Sequence, residues 1–282
     1  MRSNDWTRRR FIAATASIMG MALRTAAAEP NSRIIWQPGS AKHLALLNCK
    51  TYEIFFGGAR GGGKTDGVLG EWLKHAQLYA HNAIGIMFRR TITQLLETME
   101  RSKQIYGPLG AVWHEQQKMW RFPNGARLRF AYLERDADAE NYMGHSYTRV
   151  YVEEIGNFPR PEPILKLMAT LRSGSGVPVG FRATGNPGGP GHQWVKARYI
   201  DPAPGGWTVI RDRVTGLERI YIPSRVTDNK YLGGDYIQRL RGSGSETLVR
   251  AWLEGDWDAI EGAFFDCWSQ AIVIPPFAVP KD

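Results

Sequence analysis

The chain has 282 residues, of which 43% are hydrophobic, enough to bury one sizeable core. Its formal net charge of +9 favours a polyanionic partner, either nucleic acid or an anionic surface. The sequence contains no internal repeat and no apolar run long enough to span a membrane, so we expect neither a repeat array nor stable membrane association. Two cysteines, Cys49 and Cys267, lack metal-ligand spacing and are expected to be ordinary thiols.

Residues 1–30 form a basic-apolar leader. Thr-Arg-Arg-Arg-Phe-Ile at 7–12 resembles a twin-arginine export signal, and an apolar stretch and small residues at 26–28 follow it. Three interpretations stay open: a working export signal, a fortuitous leader, or a start placed upstream of the true one, at Met19 or Met21. We favour a leader without an export role and exclude these residues from the fold prediction.

From residue 34 the hydrophobic pattern alternates between strands and helices. Strands are predicted at 54–56, 83–88, 149–152 and 179–184, and helices at 91–106, 163–171, 192–198 and 246–253. Alternation around Asn124-Gly125 indicates a hairpin over 120–130. This order predicts an α/β domain over 31–260, with a mostly parallel central sheet flanked by helices. The proline-rich segment 261–282 is interpreted as a linker.

A glycine-rich loop follows the first strand. Residues 58–65 read Gly-Ala-Arg-Gly-Gly-Gly-Lys-Thr and match G-x-x-x-x-G-K-[ST] between a strand and a helix, the pattern of a P-loop NTPase of the RecA (ASCE) type. Glycines let backbone N–H groups approach phosphate oxygens, Lys64 can reach the β- and γ-phosphates, and Thr65 can bind Mg²⁺. We therefore predict that the chain binds ATP and Mg²⁺. The predicted phosphate-binding residues are Gly58, Arg60, Gly61, Gly62, Gly63, Lys64 and Thr65.

A second motif follows the strand at 149–152, where Glu153 and Glu154 reach the edge of the predicted sheet at which ligands bind. We assign Glu153 to the Mg²⁺ shell and Glu154 to catalysis, as the base that orients water. The metal-side residue in such motifs is more often Asp. The alternative is a pair of solvated acids at a strand end.

Two further residues, Arg60 and Gln37, each allow two interpretations. Arg60, inside the loop, could contact the γ-phosphate as an arginine finger in cis, or it could anchor the loop to a neighbouring acid. Gln37 could read the adenine edge, with Trp36 or Pro38 packed on the ring, although an isolated glutamine is usually a surface residue.

Together these motifs resemble the large terminase subunit of tailed bacteriophages, the motor that packages DNA into the capsid. The resemblance covers roughly residues 34–280. It depends on Gly-Gly-Ala-Arg-Gly-Gly-Gly-Lys-Thr at 57–65, Val-Tyr-Val-Glu-Glu-Ile-Gly-Asn-Phe-Pro at 150–159 and Arg-Ala-Thr-Gly-Asn-Pro at 182–187. It implies that Thr184 and Asn186 belong to a coupling motif that senses the γ-phosphate, and that Gln37 contacts adenine. For Thr184 and Asn186 the alternative is simple turn chemistry.

The resemblance also implies a homo-oligomeric ring on double-stranded DNA, with portal and small terminase subunits as partners, in the cytoplasm of a bacterial host. Nine basic residues are candidates for gripping phosphates without reading sequence: Arg89, Arg90, Arg127, Arg129, Arg172, Lys196, Arg198, Arg239 and Arg241. Arg172 is also a candidate for completing a neighbouring subunit's site. Such motors carry an RNase H-like nuclease after the ATPase, and we expect no nuclease activity from this chain.

The leading hypothesis is therefore a DNA-stimulated ATPase that translocates viral DNA. The alternatives are a degenerate prophage nucleotide-binding protein without motor activity and a helicase-type ATPase. A helicase of that kind needs two motor domains, and this chain has room for one.

Overall fold

The computed structural model describes residues 34–229, 231–232 and 234–259. The predicted leader, the predicted linker over 261–282 and Cys267 lie outside the described residues, and the domain limits stay a prediction. In chain order the elements are α1 (Ala41–Asn48), β1 (Glu53–Gly58), α2 (Lys64–Tyr79), β2 (Ile84–Arg89), α3 (Ile92–Tyr106), β3 (Val112–His114), β4 (Met119–Arg121), β5 (Arg127–Tyr132), β6 (Arg149–Val152), α4 (Glu162–Met168), β7 (Gly180–Gly185), α5 (His192–Val195), β8 (Val209–Arg211), β9 (Glu218–Ser224), α6 (Gly234–Arg241) and α7 (Glu246–Glu254).

The strands form one nine-stranded sheet in the order β3-β4-β5-β2-β6-β7-β1-β9-β8. The six strands from β5 to β9 in this order pair in parallel, and an antiparallel hairpin closes each side, β3–β4–β5 on one and β8–β9 on the other. Every residue of β1 is buried, as expected for a central parallel strand that is covered on both faces. The predicted α/β fold with a mostly parallel sheet is therefore confirmed.

Two hydrophobic layers enclose the sheet. One face carries α2 and α3, whose apolar residues Trp72 and Met99 pack with Ile54 and Phe56 of β1. The opposite face carries α4 and the turn after α5, with Leu167 and Tyr199 among the buried side chains. Successive residues of β1 alternate between the two layers, since side chains of a strand point to opposite faces.

The sequence predicted most elements that this sheet needs. Thr91 caps α3 by accepting a hydrogen bond from the Gln94 amide at 3.3 Å, and the hairpin at 120–130 forms as predicted. The helix predicted at 163–171 ends at Met168, and the one predicted at 192–198 changes into a π-helical turn at Lys196–Ile200. Helices α1 and α6 and the hairpin β8–β9 were not predicted. No helix within the described ranges is both long and apolar enough to cross a membrane.

The parallel strands deliver their carboxyl ends to one edge of the sheet. The residues after β1, β6 and β7 are the glycine-rich loop (58–65), Glu153-Glu154 and Asn186, respectively. Strands β7 and β1 are direct neighbours, and β6 lies beside β7, so three segments that are distant in sequence meet there. This is the edge at which open α/β sheets bind ligands.

Candidate active site

The glycine-rich loop is held from outside through its carbonyl groups. The Asn229 side-chain amide donates to the Gly61 carbonyl at 2.7 Å, and the Ser224 hydroxyl donates to the Gly62 carbonyl at 3.2 Å. Gly63 precedes α2 in a left-handed conformation, with φ of 73°. Since the first amides of a helix have no partner within it, the N–H groups of Lys64 and Thr65 at the start of α2 are available to an anion, whereas the Ala59 and Arg60 amides donate to the Ser224 and Trp252 carbonyls.

Gly62 is required by close approach rather than by its backbone angles. A Cβ atom at this position would lie 2.0 Å from the Ser224 Oγ, which is itself buried. A side chain at position 62 would therefore displace the Ser224 hydroxyl, and its hydrogen bond to the Gly62 carbonyl would be lost.

His43 of α1 joins the segment containing Gln37 to the loop. The Gly39 amide donates to His43 Nδ1 at 3.0 Å, so the proton of the neutral ring is on Nε2, which donates to the Gly63 carbonyl at 2.9 Å. Burial lowers the pKa of His43, which favours this neutral form. Sequence analysis missed His43, because a lone histidine in an amphipathic helix carries no motif.

Lys64 begins α2 and is buried at the centre of the site. Its Nζ donates to the Ala59 carbonyl at 2.6 Å and to Asn186 Oδ1 at 2.7 Å. Burial lowers the pKa of Lys64 to about 8, although Glu154 and Glu153 raise it. The lysine is thus a cation that is under-compensated in this structure and that a bound polyanion would stabilise.

Glu154 faces Lys64 through Asn186. The Asn186 Nδ2 donates to both carboxylate oxygens of Glu154, at 3.0 and 2.9 Å, so this one amide connects the lysine to the glutamate. Glu154 itself has a φ of 50°, an uncommon left-handed conformation for a residue other than glycine. Its amide donates to Thr184 Oγ1 at 3.3 Å, which helps to hold the turn. The structure therefore brings Lys64, Glu154, Thr184 and Asn186 together.

Glu153, the residue before Glu154, is buried. Its Oε2 accepts from the Thr98 hydroxyl at 2.5 Å and from Arg89 Nε at 3.1 Å. Its Oε1 is buried and has no hydrogen-bond partner among the residues that the structure describes. Arg89 was predicted as part of a DNA-gripping surface, and this placement was wrong, because the side chain is half-buried in the ion pair with Glu153. The carboxyl end of β2 lies beside β6, so strand order was the signal that could have placed Arg89 here.

Arg60 contacts an aromatic ring. Its guanidinium carbon lies 3.8 Å from the centre of the Trp252 ring of α7, and its amide donates to the Trp252 carbonyl at 2.8 Å. Within the described ranges the Arg60 side chain has no ion pair with an acid, which was one of its two predicted roles. Contact between a guanidinium and the face of an indole ring is favourable, so α7 fixes the outer side of the loop.

The loop opens into a cleft of about 1230 Å³. Gln37 is exposed at its wall, and Thr65, Lys64, Glu154 and Asn186 also line it. The predicted partner Trp36 is buried in the layer beside α2, where a Cβ at Gly70 would meet its ring at 2.0 Å. The cleft thus brings Gln37 and most of the predicted phosphate-binding residues into one space of a size suited to a nucleotide, whereas Gly58, Glu153 and Thr184 do not line it.

Solved structures with the same fold come from bacteriophages. The chain matches a large terminase from a thermophilic bacteriophage in complex with ADP with a TM-score of 0.63, at 18% identity, covering 86% of this chain and 60% of that chain. The complex of that terminase with ATP-γ-S gives a TM-score of 0.61 at 19% identity, covering 86% and 59%. The large terminase ATPase domain of Thermus phage P74-26 gives 0.55 at 12% identity, covering 79% and 94%. The chain therefore spans about 60% of the length of the first terminase.

A family model also matches the sequence. It describes the N-terminal part of the terminase large subunit of the T4-like virus type, and it matches residues 55–267, which include the glycine-rich loop, Glu153-Glu154 and Asn186. A search among curated proteins found no match. Because the family model covers well over half of the chain, this protein belongs to the terminase large-subunit family.

Proposed function

We propose that the chain is an ATP-hydrolysing subunit of a motor that packages double-stranded viral DNA. The observation that carries this proposal is the hydrogen-bonded series from Lys64 through Asn186 to Glu154, at the carboxyl edge of the sheet. It connects a phosphate-binding lysine to a carboxylate base in a chain of the terminase family.

ATP binds with its phosphates on the glycine-rich loop and its base toward Gln37. The loop amides and Lys64 Nζ contact the phosphates, and the positive end of α2 adds a favourable dipole. Lys64 then exchanges its contacts with Ala59 and Asn186 for phosphate oxygens. Tyr231 lines the cleft, and we propose that its ring covers the base. The side chain is mostly exposed, and one of its ring carbons would lie 3.4 Å from a Cβ atom placed on Gly39.

Glu154 acts as the general base. Its carboxylate accepts a proton from water, whose oxygen bonds to the terminal phosphorus while the bond to the ADP oxygen breaks. Asn186 orients both carboxylate oxygens, and Thr184 holds the backbone of the strained turn. When Lys64 turns to the phosphates, Asn186 loses one partner, so the state of the nucleotide alters how Glu154 is held. The in-cis role of Arg60 requires its guanidinium to leave the Trp252 ring.

Glu153 and Thr65 have the oxygen groups that a Mg²⁺ site needs. Glu153 Oε1 is a buried carboxylate oxygen without a partner, and Thr65 provides a hydroxyl at the start of α2. Oxygen donors of this kind are the ligands that Mg²⁺ prefers. We propose that Thr65 and Glu153 would hold Mg²⁺, which would supply positive charge to neutralise the phosphates.

The partners follow from the family. We propose that the chain acts in a homo-oligomeric ring with portal and small terminase subunits, and that it works in the cytoplasm of a bacterial host, where ATP is available.

The test is steady-state ATP hydrolysis by the full chain with and without long double-stranded DNA. We expect Lys64→Ala to reduce hydrolysis at least about 10²-fold, because a preorganised charge at the phosphates is removed. Lys50→Ala is the matched control, since Lys50 is exposed and does not line the cleft. DNA should stimulate the wild-type rate and the Lys50→Ala rate alike.

Hydrolysis that ignores DNA would contradict the motor while leaving an ATPase. Nucleotide binding with no hydrolysis would favour the degenerate nucleotide-binding alternative instead.

A further inference from the structure

Three exposed arginines lie side by side on the strands β4 and β5. Arg121 is directly opposite Arg127 in the antiparallel pair, and Arg129 follows on the same face of β5. We call Arg121, Arg127 and Arg129 the arginine strip. Within the described ranges, no hydrogen bond or ion pair engages the side chain of any of the three. Like charges directly opposite each other destabilise a sheet, so this arrangement costs stability that folding alone does not require.

The hairpin on the other side of the sheet is built in the opposite way. In β8–β9, Arg211 lies directly opposite Glu218 and its Nη2 donates to that carboxylate at 2.6 Å. Arg219 is paired with Asp212 at 3.8 Å. Both hairpins are antiparallel and carry exposed arginines, but only β8–β9 places acids beside them.

Protection of a sheet edge does not account for the strip. Charged residues often block unwanted pairing at edge strands, but the edge strand here is β3, and β4 and β5 each pair on both sides. The other face of these strands is in the core through Trp120 and Leu128. The strip is therefore an open sheet face presented to solvent on a rigid support.

Most of the other basic residues predicted to grip DNA are already engaged. Five of them form ion pairs, Arg89 with Glu153, Arg90 with Asp136, Lys196 with Asp201 and Asp258, Arg198 with Glu53, and Arg239 with Asp235. Arg172 donates to the Ser146 hydroxyl and the Gly144 carbonyl. Within the described ranges, the side chains of Arg127, Arg129 and Arg241 have no hydrogen bond or ion pair. Of these three, only Arg127 and Arg129 are neighbours, and Arg121 adds a third charge that sequence analysis missed.

A polar groove continues from the strip. It has a volume of about 490 Å³, and Arg129 lines it together with Lys118 and Arg135, while Gln117 and Asn141 supply neutral polar groups. Two acids, Glu134 and Asp138, also line it, and Asp138 lies 3.7 Å from Arg135. Basic side chains mixed with amides are the groups that contact phosphate and sugar without reading bases.

We propose that the arginine strip is the surface through which this chain binds the phosphodiester backbone of duplex DNA. The proposal rests on the proposed packaging function, which supplies the duplex as the polyanion. Residues two apart on a strand are about 6.7 Å apart, so the strip presents a line of charge rather than a pocket for one anion. A line of cations on a flat face suits sequence-independent contact with a long charged backbone.

The experiment measures binding of a fluorescent duplex to the full chain by anisotropy over a range of salt concentrations. The variant is Arg121→Gln with Arg127→Gln and Arg129→Gln. The matched control is Arg211→Gln with Arg213→Gln and Arg219→Gln, which removes the same charge from the other hairpin. If three phosphate contacts are lost, the slope of log K against log salt falls by about 2.7, and the wild type loses about 40-fold more affinity than the strip variant between about 50 and about 200 mM salt.

Equal losses in the strip variant and the control would overturn the proposal, because net charge alone would then explain binding. An unchanged slope in the strip variant would overturn it too, as would wild-type binding to poly-glutamate as tight as to DNA.

The same measurements separate the strip from the motor. If the wild type hydrolyses ATP but binds no duplex, both the strip and the DNA partner are rejected. A wild type that binds duplex and loses it only in the strip variant, but does not hydrolyse ATP, would keep the strip and reject the motor. Because the strip variant removes like-charge repulsion, we expect it to melt no lower than the wild type.

Discussion

The same three elements, α2, β6 and β7, hold two buried charged clusters that behave differently. At the amino ends of the strands, Glu71 accepts from Arg149 Nε at 3.1 Å and from Arg182 Nε at 3.3 Å, and Tyr151 donates to its second oxygen. We call this the closed cluster. The open cluster lies at the carboxyl ends and contains Lys64, Glu153, Glu154 and Asn186.

The difference is in how completely each charge is compensated. Burial raises the pKa of Glu71, but the opposing effect of Arg149 and Arg182 is larger. The net result is a pKa lowered to about 2, so the carboxylate is firmly ionised. Arg182 also donates to three backbone carbonyls, so its guanidinium is held by the main chain as well as by Glu71. In the open cluster, burial lowers the pKa of Lys64, and Glu153 Oε1 has no hydrogen-bond partner in the described part of the chain. Buried charge by itself therefore does not mark a functional site, whereas buried charge left short of partners does.

The largest effect on stability is expected from breaking the closed cluster. Glu71→Gln leaves Arg149 and Arg182 as buried cations without a counter-charge, and we expect the free energy of unfolding to fall by about 3–5 kcal/mol. Denaturant unfolding followed by circular dichroism measures this loss. Nucleotide affinity per folded molecule should change little, because Glu71 does not line the cleft.

Glu53→Gln is the matched control for Glu71→Gln. Glu53 is equally buried and accepts two hydrogen bonds from Arg198, but the Arg198 side chain is 25% exposed and can turn to water. We expect a smaller loss for Glu53→Gln, and an equal loss would show that exposure of the partner is irrelevant. Since the folded pKa of Glu71 is depressed, its stabilisation is present above about pH 4.5 and is lost as the pH falls toward about 2.

The open cluster should respond in the opposite way. We expect Glu154→Gln to lower the rate of ATP hydrolysis by about 10²–10⁴-fold, because an amide cannot accept the proton of the attacking water. Unfolding free energy should stay near the wild-type value, because Gln keeps an acceptor for Asn186. Steady-state hydrolysis and denaturant unfolding, run on Glu154→Gln and Glu71→Gln together, measure both quantities for both clusters.

Glu162→Gln, at an exposed position, is the control that should change neither quantity. If Glu154→Gln unfolds as easily as Glu71→Gln does, the distinction between an open and a closed cluster is wrong.

The sequence predicted the open cluster better than the closed one. Spacing within 58–65 and the two acids after a strand are local patterns, and the parallel arrangement of strands brings them to one edge. Glu71, Arg149 and Arg182 carry no local pattern, since each is one charged residue within an apolar element. Only the strand register, which sets Tyr151 opposite Arg182, brings them together on one face.

The residues that support the open cluster could not be predicted from the sequence either, because they also come from distant segments. Asn229 and Trp252 reach the loop from segments that are about 170 and 190 residues away along the chain, and their contacts depend on how the region after β9 folds back. The sequence predicted two of the three residues of the arginine strip, because Arg127 and Arg129 alternate along a predicted strand. Their lack of partners, which is what separates them from Arg89 or Arg198, required the packing of every neighbouring acid.

The smallest effect is a dependence on pH above neutrality, which only the open cluster should show. Burial lowers the pKa of Lys64 to about 8; Glu154 and Glu153 oppose this shift, whereas Arg60 and Arg89 add to it. Phosphate binding needs protonated Lys64, so affinity for a non-hydrolysable ATP analogue should fall by up to about tenfold per pH unit above about pH 8. Stability of the nucleotide-free protein should rise over the same range, because the folded state no longer has to hold a proton on a buried lysine.

Calorimetric titration between about pH 7 and about pH 9 measures the affinity, and Lys64→Arg is the control, since arginine stays charged throughout. Equal pH dependence in Lys64→Arg and the wild type would place the titrating group elsewhere and would leave Lys64 as a lysine with ordinary compensation.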